Sequence, residues 1–567
     1  MSWFNSLKKQ WWLVIILAVA FLLRLPGIGY GLPFHLLGDE EAHIYGALKM
    51  LEIPTLLPVF HWAAFNDLLY YPPLLSYLYL LIFVVALGVK FLAAGLPALV
   101  QFKAMIAADP SALWLTARSL NVVLSVAGVY LVYRLGRQIF KNYLAAAAAA
   151  LFLATSFLDV TLAPTARHWV PAIFLSLLAW VAAWLPEGIK RWRMALPGVL
   201  LGLSFGAGYL VFYFPLVLLT VWWSTPRLPG ARRIALLYFG GGFLAVALAF
   251  IAVHPQPFVE QVLAHTYSAP GEPKEISRFL TYYASTLGRY ELPLVIFSLV
   301  GLLMLGRRSW RWGLGALLVI GSIAVIMYAF FWNIPRYLLP LLPLFALLAG
   351  YGVGVLGEGS RRWQRGSALA IPIFLAVYSA WLFIPYHRLI WRNDTRVAAV
   401  QWLVQHLPEN AGVLIYSERL RLSPSLRALQ IQQQVAPQSL RSAERALASP
   451  GVAAPWPLLY THNLFYVNNS EQRSQLITGL TQSGRAPYLV VDSWASLPPD
   501  LAGLPARATL VKEFKGSDDL AGSDSPDGRG ALFIGGEAHT VRQWLPPLLW
   551  RLPQLGPTVL VYQLSSK

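Results

Sequence analysis

The chain has 567 residues, 57% of them hydrophobic and 12% charged, with a mean hydropathy of +0.56. Soluble domains carry about a quarter charged residues, so this composition excludes a large soluble enzyme, a disordered scaffold and, despite a net charge of +18, a nucleic-acid binder. Cysteine is absent, which removes disulfides, thiolate nucleophiles and Cys-based zinc sites, while 22 Trp and 26 Tyr suit aromatic belts at two membrane interfaces.

The first segment, Lys8-Lys9 before the apolar run 11–23, has the grammar of a secretory signal. A multi-span chain needs an anchor with its N-terminus inside, so an uncleaved first span is expected. Further apolar runs are 113–133, 143–159, 169–185, 234–253, 292–306, 313–331, 337–356 and 368–386. Residues 195–224 form two short spans or a bent hairpin, broken around Gly206-Ala207-Gly208. Basic clusters separate the runs: Arg134/Arg137/Lys141, Lys190/Arg191/Arg193, Arg227/Arg232/Arg233, Arg307/Arg308/Arg311 and Arg361/Arg362/Arg365. The positive-inside rule puts all of them in the cytoplasm. Residues 72–95 are apolar enough to cross, but crossing would turn every later cluster outward. They are therefore expected on the outer surface, within an extracytoplasmic stretch 25–112. This predicts a polytopic α-helical protein of the cell membrane (plasma or inner) with about eleven spans over 1–386 and a cytoplasmic N-terminus.

Beyond residue 386 the composition becomes that of a soluble protein. A helical pattern at 395–407 is followed by Val413-Leu414-Ile415-Tyr416, Tyr488-Leu489-Val490-Val491, Leu510-Val511 with Phe514, and Thr558-Val559-Leu560-Val561-Tyr562. Helical pattern alternating with short β-type runs predicts an extracytoplasmic α/β domain over 387–567. Residues 516–530 read as a polar loop.

Chemistry concentrates after the first span, in Gly38-Asp39-Glu40-Glu41-Ala42-His43-Ile44-Tyr45. Three successive carboxylates at the start of a helical pattern gain about 0.3–1 kcal/mol from the helix dipole. They also suit a general base at the membrane–water boundary. Asp39 and His43 share a helix face, but no third metal ligand is evident. Arg118, Arg167 and Arg336 stand at predicted outer mouths of spans, and Arg278 and Arg289 lie in the last large outer loop. Each arginine alone can snorkel; five together favour an anionic ligand held through bidentate hydrogen bonds. His265, Tyr267, Tyr282 and Tyr283 in loop 254–291 read as interface aromatics.

Several landmarks in order resemble the GT-C superfamily of polyprenyl-phosphate-sugar-dependent glycosyltransferases. They are Asp39-Glu40; Tyr71-Pro72-Pro73-Leu74-Leu75; Ala117-Arg118-Ser119-Leu120 running into the segment 129–137; Ala166-Arg167-His168 with Pro171; and Pro335-Arg336-Tyr337-Leu338-Leu339-Pro340. They cover residues 10–400. The branch is similar to the protein O-mannosyltransferases, lipid A aminoarabinose transferases and lipopolysaccharide-core galacturonic acid transferases. The resemblance implies Asp39 as catalytic base beside Glu40. It implies Arg118, at the outer end of the second span, Arg278 and Arg289 of the last outer loop, and Arg336 on the donor phosphate, with Arg118 the first choice. His43, Tyr71, Arg167 and His168 are expected to touch substrate. Aminoarabinose transferases carry Lys where this chain has Tyr71. Many members carry an acid after the proline where this chain has Pro171-Ala172. The first departure leaves that phosphate contact absent or supplied elsewhere; the second speaks against a two-carboxylate or metal-assisted site, so no metal site is assigned and no cofactor is required, with a divalent ion left open.

The implied reaction is inverting transfer of a sugar from a polyprenyl phosphate to a glycan, lipid or protein hydroxyl outside the membrane. No nucleotide loop of the form G-x-x-x-x-G-K-[ST] is found. The rival reading is a transporter or flippase of lipid-linked sugars, which predicts paired repeats and mid-membrane charges. An oligosaccharyltransferase would carry W-W-D in its outer domain, and this chain has only Trp222-Trp223-Ser224.

Overall fold

The computed structural model describes residues 11–33, 36–37, 39–65, 68–184, 191–209, 212–225, 230–260, 275–330, 334–408, 411–417, 419–420, 422, 424–440, 459–482, 487–516 and 544–564. Lys8, Lys9, Gly38, Lys190, Arg227, His265, Tyr267 and the polar loop beyond Gly516 lie outside the described residues.

The protein is a multi-pass helical membrane protein with a five-stranded sheet domain towards its C-terminus. The stretch between α1 (Trp11–Arg24) and residue 111 holds α2 (Glu40–Glu52), α3 (Leu74–Ala93) and α4 (Leu99–Ala108). The membrane part continues with α5 (Ser111–Phe140), α6 (Tyr143–Ala154), α7 (Phe157–Leu162), α8 (Trp169–Ala183), α9 (Ala195–Gly208), α10 (Phe214–Ser224) and α11 (Ala231–Val253). It closes with α12 (Ile276–Tyr290), α13 (Leu292–Arg308), α14 (Trp310–Phe330), α15 (Leu342–Glu358) and α16 (Arg362–Trp391). Seven described helical stretches are long and apolar enough to cross a membrane, or eight if the bent pair α12–α13 is one span. By length and apolarity α3 is one of the seven; its expected surface position rests on the charge argument.

Two apolar runs differ from expectation. The run 143–159 is not one helix: α6 stops at Ala154, and Ser156 caps α7 instead. Ser156 Oγ and the Leu158 amide both donate to the Glu291 carboxylate, at 2.8 and 2.7 Å. That carboxylate sits at the junction where α12 meets α13 at 109°. Residues 195–224 form two helices, as one of the two expected arrangements has it; the first ends at Gly208, capped by Tyr209 in a left-handed conformation (φ 56°). The last run extends to Trp391, five residues beyond the expected boundary at 386.

Apolar burial cannot drive helix association inside lipid, so close packing of small residues does more of it. Here α15 lies against the alanine-rich α6, and a Cβ at Gly350 would stand 2.4 Å from the Ala145 carbonyl. Buried polar joints add direction. Arg24, fully buried at the end of α1, donates to Ser125 Oγ at 2.8 Å and the Ala154 carbonyl at 3.0 Å, and pairs with Asp159.

After α17 (Thr395–His406) comes a sheet with strand order β2-β1-β3-β5-β4. Its strands are β1 (Gly412–Tyr416), β2 (Tyr460–Asn463), β3 (Pro487–Asp492), β4 (Ala508–Phe514) and β5 (Val559–Leu564). Strands β2, β1 and β3 run parallel, and β5 is antiparallel to β3 and β4. The four expected strand runs fall on β1, β3, β4 and β5. The polar sequence Tyr460-Thr461-His462-Asn463 of β2 carries no β signal. Both faces are covered, which is why β1 and the centre of β3, Leu489-Val490-Val491, are apolar. Val413, Ile415 and Val490 pack with α17. Leu414 and Leu489 pack with α18 (Leu426–Val435) and α19 (Ser470–Gln482). The domain is not free-standing. Leu545, Leu548 and Leu549 of α20 (Leu545–Arg551) join the core of the membrane part, and Trp550 Nε1 donates to the Trp381 carbonyl at 3.1 Å.

Candidate active site

The acidic loop ends on Asp39, which precedes α2 with φ 65°. Aspartate tolerates this left-handed region better than most residues, and such backbone is enriched at functional sites. The turn points neighbouring carboxylates in opposite directions.

Glu40 goes inward. It is fully buried and takes a bidentate pair from Arg118: Nε to Oε1 at 2.9 Å and Nη2 to Oε2 at 2.7 Å. The Ala166 amide donates to Oε1 at 2.7 Å. Arg118 Nη1 donates to the carbonyls of Ile28 and Tyr30, both at 2.8 Å. Four of the five guanidinium N–H groups are thus engaged on protein, and the side chain has no accessible surface. This corrects two expectations. Arg118 does not face a donor phosphate, and Glu40 does not face a substrate proton. The pair is a joint between α2, α5, the end of α1 and the loop before α8.

Asp39 goes outward, with its side chain 22% exposed. Its Oδ2 lies 3.3 Å from Arg336 Nη1 and 3.8 Å from Arg167 Nη2. Tyr70 Oη donates to Oδ1 at 3.4 Å. Burial works to raise the proton affinity of Asp39, but Arg336, Arg167 and Arg419 outweigh it and hold the carboxyl below its usual range. Arg336 comes from the 3-10 turn Pro335–Leu341, and Arg167 from the loop before α8. Asn121 holds that loop, donating from Nδ2 to the Thr165 and Arg167 carbonyls at 2.5 and 2.9 Å.

Behind Asp39 stands a box of rings. His43 stacks on Tyr71 at 5.0 Å between centroids, Tyr71 lies 4.5 Å from His168, and the two histidines meet edge-on at 5.6 Å. Gly208 packs so close to His168 that a Cβ would come within 2.3 Å of Cδ2. Neither ring nitrogen of His43, nor Nδ1 of His168, has a hydrogen-bond partner among the described residues. Burial pushes His43 down to about 3 and Arg167 adds to this, while Asp39 opposes it. The imidazole is therefore neutral at ordinary pH. Both rings are buried, at 0% and 4% exposure, so their nitrogens meet a ligand only if the ring box opens.

The structure thus brings Asp39, Arg167, Arg336, His43, Tyr71 and His168 together. Arg278 and Arg289 lie on α12, exposed and half-buried respectively, and that helix packs against the turn that carries Arg336. Tyr70, Asn121 and Arg419 were missed. Asn121 follows Arg118 by three residues on one helix face and was findable as a polar residue in an apolar run. Tyr70 and Arg419 give no sequence signal. Among the described residues no group of three or more His, Asp or Glu could hold a metal ion.

The described residues thus form a helical membrane bundle with a carboxylate between guanidiniums, packed against an α/β domain. No family model and no curated protein matches the chain. Among solved structures, ArnT from Cupriavidus metallidurans in the apo state is similar with a TM-score of 0.50 at 15% identity, over 89% of this chain and 96% of ArnT. ArnT bound to undecaprenyl phosphate gives 0.47 at 14% identity, over 88% and 96%. The arabinofuranosyltransferase AftD from Mycobacteria gives 0.42 at 16% identity, over 97% of this chain and 41% of that one. The likeness to apo ArnT shows a shared fold.

Proposed function

We propose that the protein is a membrane glycosyltransferase that moves a sugar from a polyprenyl phosphate to a hydroxyl of a glycan, lipid or protein acceptor on the outer face. The observation that carries this reading is the division of labour between Asp39 and Glu40. One carboxylate is spent on the fold, and the other keeps an open edge between two arginines.

The acceptor oxygen attacks the anomeric carbon in line. The carbon–oxygen bond to phosphate breaks, and its electron pair leaves with the polyprenyl phosphate. The acceptor proton passes to Asp39. Arg336 and Arg167 meet the charge growing on the departing phosphate, where fixed donors contribute most. The same arginines keep Asp39 weakly basic while the site is empty. A bound phosphate competes for them, so donor binding raises the proton affinity of Asp39 in the direction a base requires. Once the ring box opens, the neutral His43 and His168 offer nitrogens to sugar hydroxyls, with Tyr71 as an apolar face. No step needs a metal, and activity in the presence of a chelator is the expected result.

Undecaprenyl phosphate, which ArnT binds, is a suitable probe. Wild-type protein in nanodiscs should bind it, and Arg336→Ala should bind it less well, while Asp39→Asn should bind it yet transfer no sugar. Full transfer by Asp39→Asn would end this reading. The orientation has its own check: an extracytoplasmic reporter should be active when fused after residue 100 or 400, and silent after 141.

A further inference from the structure

The loop Leu25–Asp39 is held at three points, and two of the three holds come from the soluble domain. At Tyr30 the backbone carbonyl receives Arg118, while the phenol donates to Asp394. Asp394 is itself buried and paired with Arg396 at 2.7 Å. At Glu40 the loop is fixed by Arg118 and the Ala166 amide. Between them, Arg419 Nη1 donates to the carbonyl of Leu36 at 3.1 Å, three residues before Asp39.

Arg419 has a rigid base. It stands in the loop leaving the carboxyl end of β1, the middle of three parallel strands. Loops at the carboxyl ends of parallel strands commonly carry functional groups. Ser417 is fully buried, donates to Asp492 at the end of β3, and accepts from the Leu420 amide at 3.0 Å. Ser417 thus ties the end of β1 to the end of β3 and to the Leu420 amide. Leu36 is equally fixed: it is 1% exposed, and Gly31 (φ 71°) leaves room for its side chain.

We propose that Arg419 is a positioning residue of the catalytic centre, supplied across the domain boundary, which fixes the acidic loop and adds a third positive charge facing Asp39. The soluble domain is then part of the active site and not an appended module. The inference rests on Asp39 being the base. Asp39 is faced by Arg167 from the loop before α8, Arg336 from the turn before α15, Arg419 from the β1 loop, Tyr70, and Glu41 and His43 on its own helix. Of these, Arg419 is the charge that the soluble domain controls.

The test uses the full chain in phosphatidylcholine nanodiscs. Carbodiimide labelling of Asp39, followed by peptide mass spectrometry across pH, reads its protonation without any substrate. Arg419→Ala should move the labelling midpoint to higher pH, because a neighbouring positive charge is gone. Arg419→Lys should return much of that shift. Transfer should fall about 10- to 100-fold in Arg419→Ala, the scale of a misplaced catalytic group, with little change in undecaprenyl phosphate binding. If Arg419→Ala does not fold, Arg419→Gln carries the same test with the stem retained. An unchanged midpoint and unchanged transfer in either neutral variant would overturn the inference. A fully active Asp39→Asn would instead overturn the assignment of the base, whatever Arg419 does.

Discussion

Asp39 and Glu40 are neighbours of the same charge in one helix start, yet their surroundings differ in every respect. Glu40 meets one guanidinium face-on, without water, and with a backbone amide completing its shell. Asp39 meets two guanidiniums at longer range, keeps an open edge, and sits on strained backbone. The first arrangement closes the carboxylate off from solvent and from any ligand. The second leaves Asp39 partly exposed between Arg336 and Arg167, which the proposed function requires. Proximity to an arginine therefore does not identify a reactive carboxylate; the exposure of the carboxylate beside it does.

The comparison breaks most sharply through Asp39. Asp39→Asn should lower transfer by about 10²–10⁴-fold, with the melting temperature unchanged in a thermal-shift assay. The buried pair should respond the other way. Removing one partner of such a pair costs about 3–5 kcal/mol, so Arg118→Ala and Glu40→Gln should lose folded protein on size-exclusion chromatography. Equal yields and melting temperatures would show that the joint is dispensable. Next comes Arg336→Ala, which should weaken undecaprenyl phosphate binding by about 1.5–3 kcal/mol, the worth of one charged hydrogen bond. Arg336→Lys should recover part of it, because the planar fork is lost. Unaltered binding would remove Arg336 from the anion site. The smallest effect concerns His43. Its proton affinity is depressed to about 3 in the folded chain, against an ordinary value of 6.5. Below about 6.5 the unfolded chain takes up a proton that the folded chain refuses, so stability falls with pH across that window. His43→Gln should reduce the loss of melting temperature between neutral and mildly acidic pH. A slope identical to wild type would place His43 in a wetter setting.

Much of this was legible in the sequence because it depends on local pattern. Apolar runs between basic clusters mark the helical membrane part, and alternating short β-type runs mark four of five strands. The acidic loop stands out in a chain with only 26 acids. What the sequence could not supply was direction. Asp39 and Glu40 differ by one step of backbone, and a left-handed turn decides which of them faces the site. Arg118 matched a family landmark, but the carbonyls of Ile28 and Tyr30 that consume its donors carry no side-chain signature. Arg419 lies 380 positions from Asp39, and only the folding of β1 beside the membrane part brings it near. The break at Thr155-Ser156 was hidden for a similar reason: the capping carboxylate, Glu291, comes from another helix.

The strand order has a consequence for how the protein is made. Strand β5 lies between β3 and β4, so β4 has no sheet neighbour until residues 559–564 have been synthesised. The segment 545–551 that packs into the membrane part is made just before them. Sheet closure and docking therefore come late, after the bundle has been inserted. A chain ending before residue 545 would therefore lack both the strand that closes the sheet and the segment that docks it.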